Sequence, residues 1–456
     1  MKNRTKLDSE TQTLDSIIAL KVGVSLDKNG FSLDELIIRI KELFDQKGMP
    51  GLVAFILDLV DAHVVASLTR DKPGWQPEPC CQQPEYELRD RPKRRIRTSI
   101  GVINLRWRRL RCVHCHHALV PLREFLQLDR YQSKSSELER IITEVISEQS
   151  YRRTSRHLSI IAMLKIPKST AHRWVKQSDC DAISPAQPVP SLMVDGTAYK
   201  RRPDPTVGKD NRGELRVAIG VKSNGMTVPL GVWSGEPWDA IAKALKPADP
   251  DQAHLGKLLI SDGEPGLTEA LGPLTEDQQR CHWHQVHELS RYLYRQDAPI
   301  ITRRIIQRDL AAILSIELPK QDFKQVPEAD KVELEQRVRA AEGKLEELIK
   351  DLLKRGYGQA ADYVKNAKEK LFTYVRTWLS CGIISYRVTS LIERLMREIG
   401  RRLKRIAFGW SERGAAQMAR IIVKRTKGAS EWAEYWSNRL RLQGKVTVSF
   451  KGVELT

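Results

Sequence analysis

No apolar run in this 456-residue chain is long and clean enough to be read as a membrane span. The longest, residues 52–68, is broken by Asp58, Asp61 and His63, so the sequence predicts a core helix there. No secretory leader is legible, because residues 1–11 are polar and charged. Cysteine is sparse: seven residues, at 80, 81, 112, 115, 180, 281 and 381. That odd count argues against a disulfide scaffold and for a reducing, cytoplasmic setting with thiols free or on metal. There is no fixed-period repeat and no low-complexity tract, which excludes solenoid and tract-driven architectures. Acidic charge is also short, with 57 Asp and Glu against 76 Lys and Arg, a net +19. Such a balance says little about fold but predicts a polyanionic partner, most often nucleic acid. No membrane partner is expected.

What is present changes character along the chain. Residues 31–40 carry helical spacing behind a Ser32-x-x-Glu35 capping box. Pro50-Gly51 is expected to break that helix before a second one. A proline-rich stretch at 73–92 reads as a boundary. Residues 97–111 alternate as a β-hairpin, apolar groups one way and arginines the other. Its Arg106, Arg108, Arg109 and Arg111 are candidate phosphate contacts. The hairpin runs into Cys112-x-x-Cys115, half of a zinc site whose upstream partner is only the adjacent pair Cys80-Cys81. Adjacent cysteines rarely both reach one ion, so the candidate set is Cys81, Cys112, Cys115 and His116, with His117 as the other choice. Residues 134–178 read as short helices ending in a basic, aromatic one. Its His172 and Arg173 suit a helix-turn-helix recognition helix. A linker is expected at 184–190. Strands follow at 192–199, 215–222, 226–233 and 255–261, then charged helices at about 288–380 and an amphipathic helix at 389–405.

Three carboxylates stand out by context. Asp195 in Ser191-Leu192-Met193-Val194-Asp195-Gly196 ends an apolar run and precedes a glycine. So does Asp262 in Leu258-Leu259-Ile260-Ser261-Asp262-Gly263. Neighbouring strand ends can bring two such groups together, where they repel unless a cation lies between them. The plainer reading is a pair of Asp-Gly turns. Glu393, in Thr389-Ser390-Leu391-Ile392-Glu393-Arg394, would complete a cage of hard oxygens for Mg²⁺ or Mn²⁺. It also fits a Ser390-x-x-Glu393 capping box or an i+4 pair with Arg397. Arg397 and Arg401 share its polar stripe, which suits DNA phosphates. Cys281-x-x-His284 reads as a metal half-site or as a core cysteine beside a surface histidine.

In this order the motifs resemble bacterial insertion-sequence transposases of the DDE class, closest to the Mutator-like group. The block Ser261-Asp262-Gly263-Glu264-Pro265-Gly266-Leu267 followed by Cys281-His282-Trp283-His284 looks like the family's Asp-Gly-x-x-Gly-Leu and Cys-x-x-His. The block around Glu393, followed by Gly409-Trp410-Ser411, looks like its glutamate helix and trailing segment. Val194-Asp195-Gly196-Thr197 looks like the first-aspartate strand. The hairpin, Cys112-x-x-Cys115 and Gln149-Ser150-Tyr151-Arg152 resemble the zinc-ribbon and helix-turn-helix portion of one branch. The family's upstream Cys-x-x-Cys is degenerate here, which leaves zinc open but not the nuclease core.

The resemblance implies a multidomain α/β chain. Its parts would be a helical region at 1–78, a zinc-ribbon-like hairpin at 79–125 and a helix-turn-helix at 126–182. A ribonuclease-H-like core at 188–287 would be interrupted by a helical insertion at 288–384 and resume with the glutamate helix at 385–426, before a tail at 427–456. It further implies Asp195, Asp262 and Glu393 as the metal-binding catalytic triad, with Cys281 and His284 nearby. The expected function is binding of an element's terminal inverted repeats, metal-dependent strand cleavage and strand transfer, by a homodimer or larger assembly on double-stranded DNA. Should Glu393 fail, Glu398 and Glu288 are the next candidates. The competing functions are a non-catalytic DNA-binding relative with the same fold and a general ribonuclease-H-like nuclease.

Overall fold

The computed structural model describes residues 32–70, 75–161, 164–203, 211–247, 251–404 and 409–440. Residues 1–31 of the sequence-predicted N-terminal region (1–78) and the end of the tail (441–456) lie outside the described residues. The chain forms two compact units, Met1–Val175 and Lys176–Thr456.

In the first unit, α1 (Leu33–Leu43) starts at Ser32, whose hydroxyl accepts from the Glu35 N–H. The expected break at Pro50 does not occur. A π-helical turn at Phe44–Gly48 leads directly into α2 (Met49–Thr69), because proline in a first helical turn removes no needed donor. Among the described helices, α2 alone is long and apolar enough to cross a membrane by length and composition. It packs along one side on two small clusters, with Val53, Leu57 and Val60 on the first and Val65 and Leu68 on the second. Its Asp61 is buried and accepts from both the backbone and the guanidinium of Arg108 at 2.9 Å.

The predicted single hairpin at 97–111 is divided. Strands β2 (Lys93–Thr98) and β3 (Gly101–Arg106) pair antiparallel as a two-stranded sheet. A second sheet has the order β1 (Tyr86–Asp90), β4 (Arg109–Cys112), β5 (Ala118–Leu119). The division falls at Trp107 and Arg108, where Trp107 is buried and Arg108 is tied to Asp58 and Asp61. After the short α3 (Pro121–Phe125), α4 (Ser136–Glu148) buries Leu138, Ile142 and Ile146 at spacings of four. Then come α5 (Tyr151–Ile161) and α6 (Lys168–Gln177), the latter burying Ala171, Trp174 and Val175.

The second unit is built on a mixed sheet, with five strands among the described residues. They are β6 (Val189–Lys200), β7 (Arg212–Val221), β8 (Thr227–Ser234), β9 (Gly256–Ser261) and β10 (Thr275–Arg280). The order is β10-β9-β6-β7-β8; β6, β7 and β8 are antiparallel, while β9 and β10 run parallel to β6. The expected linker ends earlier than residue 190, since Val189 and Pro190 already belong to β6. Strand β10 was not foreseen: it lies at one edge of the sheet, and its sequence, Thr-Glu-Asp-Gln-Gln-Arg, carries no apolar alternation. Over the sheet, α7 (Trp238–Leu245) and α8 (Pro265–Leu271) close a core that includes Leu192, Val194, Ile241, Leu259 and Leu267.

Helices then follow in series: α9 (His282–Arg295), α10 (Ile300–Ile313), α11 (Glu328–Lys354), α12 (Gly358–Ala367) and α13 (Thr373–Cys381). The chain returns through α14 (Ser390–Leu403), which packs on β6, then α15 (Glu412–Lys427) on β8 and α16 (Ala429–Leu440). Trp410 bridges to Arg201 at the end of β6, so the Gly-Trp-Ser segment extends that strand's edge.

Candidate active site

Asp195 lies on β6 and Asp262 just past β9. These strands are hydrogen-bonded parallel neighbours whose last registered pair is Met193 with Ile260. Each aspartate is two residues beyond that pair, so the register carries both carboxylates to the same edge of the sheet. The Asp195 carboxylate accepts from the Gly196 N–H at 2.7 Å, and Asp262 from the Glu264 N–H at 3.0 Å. Gly263 makes the turn possible. Its φ is +81°, and a Cβ there would lie 1.0 Å from Arg280 Nη1. Only glycine satisfies both demands.

Glu393 enters on the first turns of α14. Thr389, not Ser390, is the residue before that helix, so the expected Ser390 capping box is absent. The Glu393 carboxylate instead accepts from the Thr389 hydroxyl at 2.7 Å and lies 3.9 Å from His284 Nδ1, rather than pairing with Arg397. Cys281, fully buried, and His284 complete the group: a ligand atom from each of Cys281, His284 and Glu393 lies within 4.8 Å of the others. Glu398 and Glu288 are engaged elsewhere, with Arg401 and Arg291 respectively.

The electrostatics tie these residues together. Burial, and then the charges of Asp262 and Glu393, push the Asp195 carboxyl up to about 6, against the Gly196 N–H and His284. Burial opposes charge on His284, yet Cys281, Asp262 and Glu393 together raise its pKa. Burial also opposes the Cys281 thiolate, but hydrogen bonds from His284 and Thr389 lower that thiol overall. Asp195, Asp262, Glu393 and His284 thus lie within electrostatic reach of one another, with more negative charge than His284 alone offsets.

Asp195 therefore has a pH signature. Its folded pKa exceeds the ordinary 3.8, so the unfolded chain holds fewer protons between about pH 4 and 6. Metal-free stability should fall as pH rises through that window. Asp195→Asn should raise stability at pH 8 in Mg²⁺-free buffer by up to about 3 kcal/mol, an upper bound for a half-buried carboxyl. The gain should vanish near pH 4 and shrink when Mg²⁺ is added. Denaturant melts at both pH values check this; an equal gain at both would sink it.

In the first unit, the Sγ atoms of Cys80, Cys81, Cys112 and Cys115 lie within 4.8 Å of one another. Cys81 to Cys112 is 3.8 Å and Cys80 to Cys115 is 3.4 Å. Four thiolates around a tetrahedral zinc, at about 2.3 Å each, would be about 3.8 Å apart, so the donors fit that ion. The backbone N–H of Cys115 helps hold the Cys112 thiol down to about 6. This differs from the expected three cysteines and a histidine. Cys80 and Cys81 lie in a bend, not a strand, so neighbouring side chains are not sent to opposite faces. His116, at φ +59°, is exposed outside the cluster.

The predicted arginine face is also redistributed. Arg108 is tied to Asp58 and Asp61, and Arg109 to Asp90. The exposed basic face of the β2–β3 hairpin is Lys93, Arg95, Arg97 and Arg106, opposite Ile96, Ile103 and Leu105 in the core. Arg111 is half-buried, while His172 and Arg173 are exposed on α6 and Arg397 and Arg401 on α14. Sequence reasoning took Cys81 in place of Cys80 rather than both, and missed Thr389, Lys93, Arg95 and Arg97; the strand period running back from Arg97 could have found the last three.

A family model described as "Transposase, Mutator family" matches residues 93–434 of this chain. No curated protein matches it.

Proposed function

This chain belongs to the Mutator family of transposases, and we propose that it cuts and rejoins DNA at Asp195, Asp262 and Glu393. The observation that carries this is the register that brings Asp195 and Asp262 to neighbouring parallel strand ends, where burial and then the charges of Asp262 and Glu393 raise the Asp195 pKa. Two aspartates at neighbouring strand ends, with a glutamate and one histidine in electrostatic reach, are a donor set for a hard divalent cation, Mg²⁺ or Mn²⁺. When bound, the ion supplies Lewis acidity at a phosphodiester oxygen and compensates the carboxylate charge.

The protein's own share is positioning. Two strands of a packed sheet hold the aspartates rigidly, and α14 brings the glutamate from outside the sheet. The sheet order, three antiparallel strands followed by two parallel ones, supports a ribonuclease-H-like core with α9 to α13 as its helical insertion. A water would hydrolyse the strand at the element's end, and the freed 3′-hydroxyl would attack target DNA. No nucleophilic serine or tyrosine is required. Arg397 and Arg401 are suited to the phosphates beside the cut.

DNA binding is assigned to the first unit. The exposed Lys93, Arg95, Arg97 and Arg106 would grip phosphates, and α5–α6, with His172 and Arg173 exposed, would act as a helix-turn-helix. Zinc on the four cysteines would brace the sheet beside them. Holding two ends at once calls for a dimer or larger assembly, acting in the cytoplasm.

The test uses the full chain and a labelled duplex carrying its element's terminal repeat. With Mg²⁺ it should nick the end and join it to a second duplex; leaving out Mg²⁺, or Asp262→Asn, should stop both while end binding persists. Binding should weaken steeply with salt. Binding without any cleavage by the unmodified chain would favour the non-catalytic relative.

A further inference from the structure

We propose that the Thr389 hydroxyl is the hub through which Cys281 and His284 position Glu393, and that no metal ion is bound between Cys281, His284 and Glu393. The inference rests on the proposed catalytic role of Glu393. Thr389 is almost fully buried, and its Oγ1 lies 2.7 Å from Glu393 Oε1, 3.2 Å from Cys281 Sγ and 3.4 Å from His284 Nδ1. One hydroxyl within hydrogen-bond reach of all three groups can order them without an ion.

The hydroxyl has a single proton to give. The shortest contact, to the Glu393 carboxylate, takes it. The hydroxyl oxygen is then left as the acceptor toward His284, which also hydrogen-bonds Cys281, and the Thr389 backbone N–H serves Cys281 Sγ at 3.3 Å. The result is a directed path from His284 through Thr389 to one oxygen of Glu393, leaving its other oxygen for the active centre.

Backbone bonds extend this hub to the second aspartate. The Cys281 N–H donates to Ser261 O at 2.8 Å, and Ser261 immediately precedes Asp262. The His282 N–H donates to Arg387 O at 2.9 Å, a second stitch into the segment leading to α14. The Thr389 carbonyl accepts from the Glu393 N–H at 3.0 Å. Strand end, Cys-x-x-His segment and glutamate helix are thereby locked in one frame. That gives Cys281 and His284 a function without metal: they fix where Glu393 stands relative to Asp262.

The experiment compares Thr389→Val, Thr389→Ser, Cys281→Ser, Glu393→Gln and the Thr389→Val/Glu393→Gln double variant of the full chain. Readouts are end cleavage, the Mg²⁺ concentration for half-maximal cleavage, end binding and zinc per chain. Thr389→Val, nearly isosteric, should cut roughly 10²-fold more slowly and need more Mg²⁺, the scale of a catalytic group displaced by about 1 Å. Thr389→Ser should restore most of the rate, which a packing role for the methyl group would not allow. The double variant should be no slower than Glu393→Gln, and Cys281→Ser should keep the full zinc content. Thr389→Val cutting at the unmodified rate and Mg²⁺ requirement, or loss of a zinc equivalent in Cys281→Ser, overturns the hub. Unimpaired cleavage by Glu393→Gln instead overturns the catalytic reading beneath it.

Discussion

Glu393→Gln should cut DNA ends at least about 10³-fold more slowly than the unmodified chain, the scale expected when a transition-state charge is removed. End binding should be unchanged. The substitution keeps size and shape, and the Thr389 hydroxyl can donate to the amide oxygen as it does to the carboxylate. The fold has little to lose, since Glu393 is half-buried and Ile392, Leu395, Met396 and Ile399 carry the packing of α14. What disappears is one negative charge beside Asp195 and Asp262, and with it cation affinity. Glu398 and Glu288 supply the control: each is held by an arginine three residues on, so Glu398→Gln and Glu288→Gln should cut nearly normally. Gel-resolved cleavage and strand-transfer products, with a parallel shift assay for binding, give the answer. Full activity in Glu393→Gln would move the third carboxylate role to one of those two.

How much of this was legible before any coordinates depended on which force fixed each element. Strands β6, β7, β8 and β9 are buried on both faces, so their apolar runs announced them. Strand β10 is an edge and polar, and it hid. The aspartates were readable because a charge ending an apolar run is costly without a use. The basic hairpin was half readable. Alternation gave Ile103 and Leu105 correctly to the core, but Arg108 lies past the end of β3 and answers to Asp61, a partner 47 residues away that no local pattern reveals. Thr389 was invisible for the same reason. Its partners Cys281 and His284 are more than a hundred residues upstream, and only the fold brings them to its hydroxyl.

The four-cysteine cluster carries the second large effect. Chelating zinc, or Cys112→Ser, should unfold the β1-β4-β5 sheet while the Lys176–Thr456 unit keeps its structure. The sheet is small, and its own buried residues are only Tyr86, Leu110, Cys112 and Leu119, supported by Val65 and Leu68 of α2. A core of that size rarely holds a fold by itself. A structural zinc contributes on the order of 10–16 kcal/mol of apparent binding energy in small peptides, enough to decide whether such a sheet exists. Without the ion, four thiols are crowded within 4.8 Å and Cys112 is drawn toward thiolate with no counter-charge. Zinc analysis should therefore find one ion per chain, lost in Cys80→Ser as fully as in Cys112→Ser. His116→Ala should retain it, because His116 lies outside the cluster. Retention in Cys80→Ser with loss in His116→Ala would restore the ligand set that sequence spacing suggested. Limited proteolysis of the chelated chain should open sites within 80–119, and end binding should fall because the hairpin at Lys93–Arg106 packs on the same helix, α2.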